Sequence, residues 1–180
     1  LKCGLSEIIK HSLIEGENDW NQLKNLKNLK ELTEDVIYAS IKTKVGIVEK
    51  DPKEKNFRKF LNFGHTIGHA IESFLLNSER EVFHGEAVAA GIVMETFISK
   101  SICNFNPKKV DEIKDFIDSH FSKIILKEKE IPEIIRIMSF DKKNQDNTPK
   151  FVLMKEMGTI EIDKKVCEKD IKKAFEFYSS

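Results

Sequence analysis

His65 and His69 stand four apart in the run Asn62-Phe63-Gly64-His65-Thr66-Ile67-Gly68-His69-Ala70-Ile71-Glu72, a spacing that projects two side chains from one face of a helix. Imidazoles so placed can share a metal ion, although the run lacks the glutamate that a zinc protease carries inside its histidine pair. The alternative is a pair of core or surface histidines with no ligand. Gly64 and Gly68 each cost a helix interior ~1 kcal/mol, so something must compensate for them. A third histidine, His84, opens Phe83-His84-Gly85-Glu86-Ala87 after a charged linker at 77–81. That linker is long enough to turn the chain back, and an antiparallel helix pair would bring His84 beside His65. Alone, a histidine at a helix start is ordinary.

Glu7 and Lys10 sit three apart in SEIIKH, with His11 and Ile14 near the same helical face. Taken alone this is a surface ion pair worth under ~1 kcal/mol. Lys44 falls among Ile37, Ile41 and Val48, in the middle of an apolar stripe. An unpaired ammonium there is costly unless it snorkels or meets an anion, and a substrate anion would suffice. Arg58 precedes Asn62 by one helical turn, so Arg58, Asn62, His65 and His69 are expected along one ridge. A cation, an amide and imidazoles converging in this way suit a metal beside a phosphate or carboxylate.

The elements that must carry these residues read as mainly helical. Leu5, Ile8, Ile9, Leu13 and Ile14 define a helix over 5–15, followed by a solvated helix or loop at 18–32. Thr33 is a plausible N-cap for a helix running to about residue 50, ending near Asp51-Pro52. Helices over 62–76 and 84–103 form the centre of a bundle, the second rich in small residues (Ala87, Ala89, Ala90, Gly91) that permit close packing. Shorter helices at 108–120 and 132–138 precede a polar loop, DKKNQDNTPK, expected to be mobile. Residues 151–154 and 159–162 flank Met157-Gly158 as a short hairpin, and 166–178 closes the chain as a helix. The expected class is a mainly α helical bundle with a short β-hairpin near the C-terminus. No βαβ alternation or glycine-rich fingerprint is present to build a dinucleotide-binding sheet.

Composition narrows the function classes. The 180 residues are 40% hydrophobic, enough for a real core, and 30 basic residues balance 30 acidic ones. A net charge of zero gives no global field to draw the chain to nucleic acid or an anionic membrane. Cys3, Cys103 and Cys167 are scattered and odd in number, which argues against a disulfide framework or a cysteine zinc site and for a reducing cytoplasm. No apolar run approaches the ~20 residues of a membrane helix. An apolar helical rhythm begins at once, without an initiator methionine, as expected for a chain starting inside a larger protein.

The segments GLSEIIKHSLI, KVGIVEKDPKEKNFRKFLNFGHTIGHAIE and HGEAVAAGIVMET resemble the 3-dehydroquinate synthase family, in matching order over about the first hundred residues, and DKK at 141–143 extends the match. The resemblance implies that Glu7, His65 and His84 bind a catalytic Zn²⁺, with Co²⁺ as a substitute, leaving positions for two substrate hydroxyls. His69 then lies at the phosphate end of the substrate with Asn62 and one of Lys142 or Lys143. Lys10, Lys44 and Arg58 match the cations that hold the substrate's carboxylate and ring hydroxyls. The family is a lyase of the shikimate pathway, on the route to chorismate and the aromatic amino acids. It converts 3-deoxy-D-arabino-heptulosonate 7-phosphate to 3-dehydroquinate by NAD⁺ oxidation, phosphate elimination, re-reduction, ring opening and aldol closure.

By the same resemblance, residues 1–180 are the C-terminal metal- and substrate-binding domain of a two-domain, homodimeric enzyme. The N-terminal NAD-binding domain is absent from these residues, so the fragment alone is expected to be inactive. Two departures stand out: Asn56 replaces a usual glycine, and asparagine tolerates the left-handed backbone better than most residues, while Pro52 occupies a usually acidic place. The rivals are a related sugar-phosphate cyclase, a glycerol dehydrogenase-like metal-dependent dehydrogenase, and a non-enzymatic helical interaction domain. Lys44, Arg58 and the DKK loop, as anion binders, weigh against the dehydrogenase.

Overall fold

The structure is a computed structural model that describes residues 2–26, 32–76, 78–139 and 149–180. Its elements run α1 (Lys2–Glu15), α2 (Glu17–Lys24), α3 (Glu34–Lys50), a 3₁₀ turn (Phe57–Asn62), α4 (His65–Leu75), α5 (His84–Cys103) and α6 (Pro107–His120). A second 3₁₀ turn (Glu128–Glu130), α7 (Ile131–Ser139), strands β1 (Lys150–Glu156) and β2 (Thr159–Lys165), and α8 (Glu168–Ser179) complete it. The mainly helical class with a hairpin near the C-terminus is as the sequence indicates. Among the described residues, no helix is long and apolar enough to cross a membrane.

Helix α5 is the axis of the fold. From Ala87 to Thr96 every residue is buried, and a helix apolar on all sides must have neighbours on all sides. Helices α1, α4, α6 and α8 and the hairpin supply them. Small residues let α4 approach most closely. Ile67, Ile71 and Leu75 of α4 are fully buried, each worth about 1.5–3 kcal/mol relative to exposure.

The hairpin pairs Lys150 with Lys165 and Glu156 with Thr159. It is tied to the helices by two hydrogen bonds: the Met154 amide donates to Ser99 Oγ of α5 at 2.9 Å, and the Gly158 amide to the Leu13 carbonyl of α1 at 3.0 Å. Helix α6 begins as its sequence dictates, with Pro107 in the first turn and the Asn106 side chain accepting from the Lys108 amide.

Four local expectations change. Residues 18–24 are not merely solvated: Trp20 is fully buried, and its indole N–H donates to Glu112 of α6 at 2.6 Å. Among the described residues nothing covers the stripe of α3, with Ile37 43%, Ile41 55% and Val45 46% exposed, while the buried residue of α3 is Thr43. Thr33 does precede α3, but its side chain caps nothing. In the loop before Arg58 the left-handed residue is Glu54, at φ 54°, whereas Asn56 has φ −139°. Lys142, Lys143 and most of the polar loop expected to be mobile lie outside the described residues.

Candidate metal and anion site

The ridge expected from Arg58 to His69 is broken in the structure. Phe57–Asn62 winds as a 3₁₀ turn, Phe63 is extended, and Gly64 takes φ 79° before α4 starts at His65. Only a residue without Cβ suits Gly64, because a side chain there would meet the Ile92 side chain at 2.5 Å and backbone of α5 near 3.1 Å. The two glycines cost little because Gly64 lies outside the helix and Gly68 permits contact. A Cβ on Gly68 would lie 3.0 Å from the Ala87 carbonyl oxygen. The left-handed turn at Gly64 and the tight seam replace the continuous helix that periodicity suggests.

This packing gathers the three histidines. The His65 and His69 ring centroids are 5.0 Å apart, His65 and His84 5.7 Å, and His69 and His84 5.5 Å. One nitrogen from each lies within 4.8 Å of the others, close enough to share an ion. Antiparallel α4 and α5 thus bring His84 beside His65, as the linker at 77–81 suggests.

Hydrogen bonds set the tautomers. His65 Nδ1 lies 3.1 Å from the Phe63 carbonyl, which can only accept, so Nδ1 carries the proton and Nε2 the lone pair. His84 Nδ1 lies 2.9 Å from a Glu72 carboxylate oxygen, the carboxylate–histidine pairing that presents Nε2 to a metal. Burial, then the Lys10 charge, pushes His65 down to about 4, so its imidazole is neutral at pH 7 and able to ligate.

Glu7 reaches this cluster from α1. Burial alone would raise its carboxyl, but Lys10, His65 and His11 outweigh it and hold Glu7 below the usual range. Its Oε2 accepts from Lys10 at 2.8 Å. Its Oε1 is buried without a hydrogen-bond partner and sits 3.5 Å from His65 Nε2. Two acceptors therefore face each other, an arrangement a cation between them relieves. The residues fit a Zn²⁺-like ion: a carboxylate oxygen beside an imidazole nitrogen, within a cluster of three histidines.

The cations are placed unequally. Lys10 is only 2% exposed, bonded to Glu7 and to the Leu61 carbonyl at 2.7 Å, and burial lowers its pKa despite Glu7. Lys44 is exposed on α3, near enough that its charge depresses Lys10 and His11. Arg58 turns back to the Pro52 carbonyl at 3.0 Å, and Asn62 donates to Glu54 at 3.0 Å. Asp51 shapes this loop by accepting from the amides of Lys55, Asn56 and Arg58.

His11 bonds Ser40 of α3 at 2.7 Å, and burial pushes it down to about 4. Sequence reasoning missed the roles of Glu72, Asp51 and Glu95. Glu72 could have been found, since it lies in the same motif as the histidines.

The sequence profile described as 3-dehydroquinate synthase C-terminal matches residues 4–144. A 3-dehydroquinate synthase of Parabacteroides distasonis is 35% identical over 178 residues, covering 97% of this chain and 50% of that protein. One from Leptospira interrogans is 35% identical, covering 94% of this chain and 48% of that protein. The chain therefore spans about half the length of the curated synthases it matches.

Among solved structures, 2-epi-5-epi-valiolone synthase from Streptomyces hygroscopicus, with NAD⁺ and Zn²⁺ bound, superposes with TM-score 0.74 at 15% identity, over 99% of this chain and 51% of that one. A 2-deoxy-scyllo-inosose synthase with carbaglucose-6-phosphate, NAD⁺ and Co²⁺ gives 0.72 at 22%, over 96% and 50%. These two share the fold. The match over residues 4–144, with 35% identity across nearly the whole chain, makes this protein a member of the 3-dehydroquinate synthase family.

Proposed function

We propose that this chain is the metal- and substrate-binding part of a 3-dehydroquinate synthase, which converts 3-deoxy-D-arabino-heptulosonate 7-phosphate to 3-dehydroquinate and phosphate. An NAD-binding domain, not contained in these residues, completes the enzyme, which acts as a cytoplasmic homodimer. Glu7, His65 and His84 hold the metal. The reading is carried by one observation: the buried, unpartnered Glu7 Oε1 faces the His65 Nε2 lone pair at 3.5 Å.

When bound, Zn²⁺ supplies Lewis acidity and a fixed orientation for ring hydroxyls of the substrate. The chain's own residues do the rest. Glu72 and the Phe63 carbonyl hold two imidazoles with Nε2 outward. Lys10, fixed by Glu7 and Leu61, offers a preorganised cation, with Lys44 and Arg58, to the carboxylate and hydroxyls of the substrate. Asn62, His69 and Lys142 or Lys143 donate to the departing phosphate.

Two experiments test this. Incubated with Zn²⁺ and desalted, the chain should keep about one equivalent. His65→Ala, His84→Ala and Glu7→Gln should lose it, and His69→Ala should keep it. Loss with His69→Ala and retention with Glu7→Gln would move the ligand set to the three histidines. Joined to the upstream half of a dehydroquinate synthase, the chain should release phosphate from the heptulosonate substrate with NAD⁺, and chelator should abolish this. A metal-loaded joined protein that releases none overturns the assignment.

A further inference from the structure

Glu95 lies in the middle of α5 with 0% exposure, and the metal chemistry above makes no use of its carboxyl group. Its Oε2 accepts from the Gly64 amide at 2.7 Å and its Oε1 from the Ile67 amide at 3.0 Å. These donors flank His65. The first amides of a helix lack intrahelical partners, and the residue before α4 is a glycine with no side chain to cap them. A carboxyl group from another helix caps α4 instead.

Its place on α5 is equally specific. His84, Val88, Gly91 and Glu95 follow the spacing i, i+4, i+7, i+11, one ridge of a helix with ~3.6 residues per turn. That ridge lies along α4. A Cβ on Gly91 would fall 1.9 Å from the Gly64 carbonyl oxygen, and Val88 and Ile92 close over Gly64. One end of the ridge presents His84, and the other clamps the turn that presents His65.

We infer that Glu95 is a positioning residue for the metal site: its two oxygens, accepting from the Gly64 and Ile67 amides across the α4–α5 seam, fix the turn at Gly64–Ile67 so that His65 faces Glu7 and His84. This rests on the metal reading above. Apolar packing alone would hold α4 against α5, but would not fix the rotation of its first turn. A leucine would fill the space without the desolvation cost, yet would leave two buried N–H groups unpaired. Glutamine keeps the volume but replaces one accepting oxygen with an NH₂ group that cannot accept from an amide.

The test titrates Co²⁺ against a competing chelator, following affinity and the visible absorption of bound Co²⁺, in the wild-type chain, Glu95→Gln and Ser99→Ala. Ser99 is also buried on α5; its hydroxyl accepts from the Met154 amide and donates to the Glu95 main-chain carbonyl, with no bond to α4. Its variant therefore reports the cost of lost buried hydrogen bonds on α5 while the bonds of the Glu95 side chain to α4 stay in place. Glu95→Gln should bind about 10–100-fold more weakly with an altered spectrum, while Ser99→Ala stays within about 2-fold of wild type. Equal loss in both variants, or none in a folded Glu95→Gln, overturns the inference while leaving the metal reading intact.

A wild-type chain that takes up no Co²⁺ or Zn²⁺ overturns both. Should Glu95→Gln fail to fold, hydrogen exchange on the wild type decides. Metal should slow exchange at the Gly64 and Ile67 amides more than in α8, because coupling between two sites is reciprocal. Unchanged protection at both amides overturns the inference.

Discussion

The seam between α4 and α5 and the outer face of α3 carry the two halves of the candidate site in opposite ways. In the seam, Gly64, Gly68 and Gly91 bring backbones into contact, and His65 and His84 take their tautomers from neighbouring acceptors. On α3, Ile37, Ile41, Val45 and Lys44 stand exposed within this chain. A close-packed seam tolerates little change in volume or polarity, whereas an open helix face tolerates much. The metal end is thus built internally, whereas Lys44 stands on a face that the described residues leave uncovered.

The comparison is most readily broken at Phe63, which is fully buried and whose carbonyl accepts from His65 Nδ1. Phe63→Ala should cost about 3–5 kcal/mol in urea unfolding. A loss near the surface level would show the seam to be looser than described. Gly91→Ala comes next. Its Cβ would fall 1.9 Å from a backbone oxygen, so α4 and α5 must part, at about 1–3 kcal/mol.

A smaller effect follows from pH. Burial, opposed by the amides of Ile67, Gly64 and Thr66, pushes the Glu95 carboxyl from 4.5 up to about 8. The folded chain then binds this proton more tightly than the unfolded chain. Its stabilising contribution is complete below pH 4.5 and is lost as pH rises through about 8. The slope should be on the order of 1 kcal/mol per pH unit inside that window. Unfolding curves of wild type and Glu95→Gln between pH 5 and 8 should converge as pH rises, and parallel curves would contradict this. Smallest of all, Ile41→Ser on α3 should change stability by no more than about 0.5 kcal/mol. A larger loss would mean that the stripe is covered after all.

Much of this was legible in advance, and the exceptions have physical causes. The spans of α1, α5, α6 and the hairpin follow from periodicity and punctuation, which are local. The turn at Phe63–Gly64 was not, because a 3.6-residue pattern runs through it unchanged, and only the approach of Gly91 demands it. Trp20 read as part of a polar stretch, since its burial depends on α6 and its partner Glu112 lies 92 positions away. The stripe of α3 looked like a core face because amphipathicity reports what a helix can bury, not what covers it.

By itself the sequence determined the helices, the donor types and, through its motifs, the family. The tertiary structure alone decided which groups meet: that His84 and Glu72 pair, that Glu7 Oε1 is left without a partner, and that Glu95 caps a helix it does not belong to. The physical reason is one of range. Propensity and periodicity act over a few residues, whereas desolvation and hydrogen-bond satisfaction are settled by whichever segments the packing of α5 brings together.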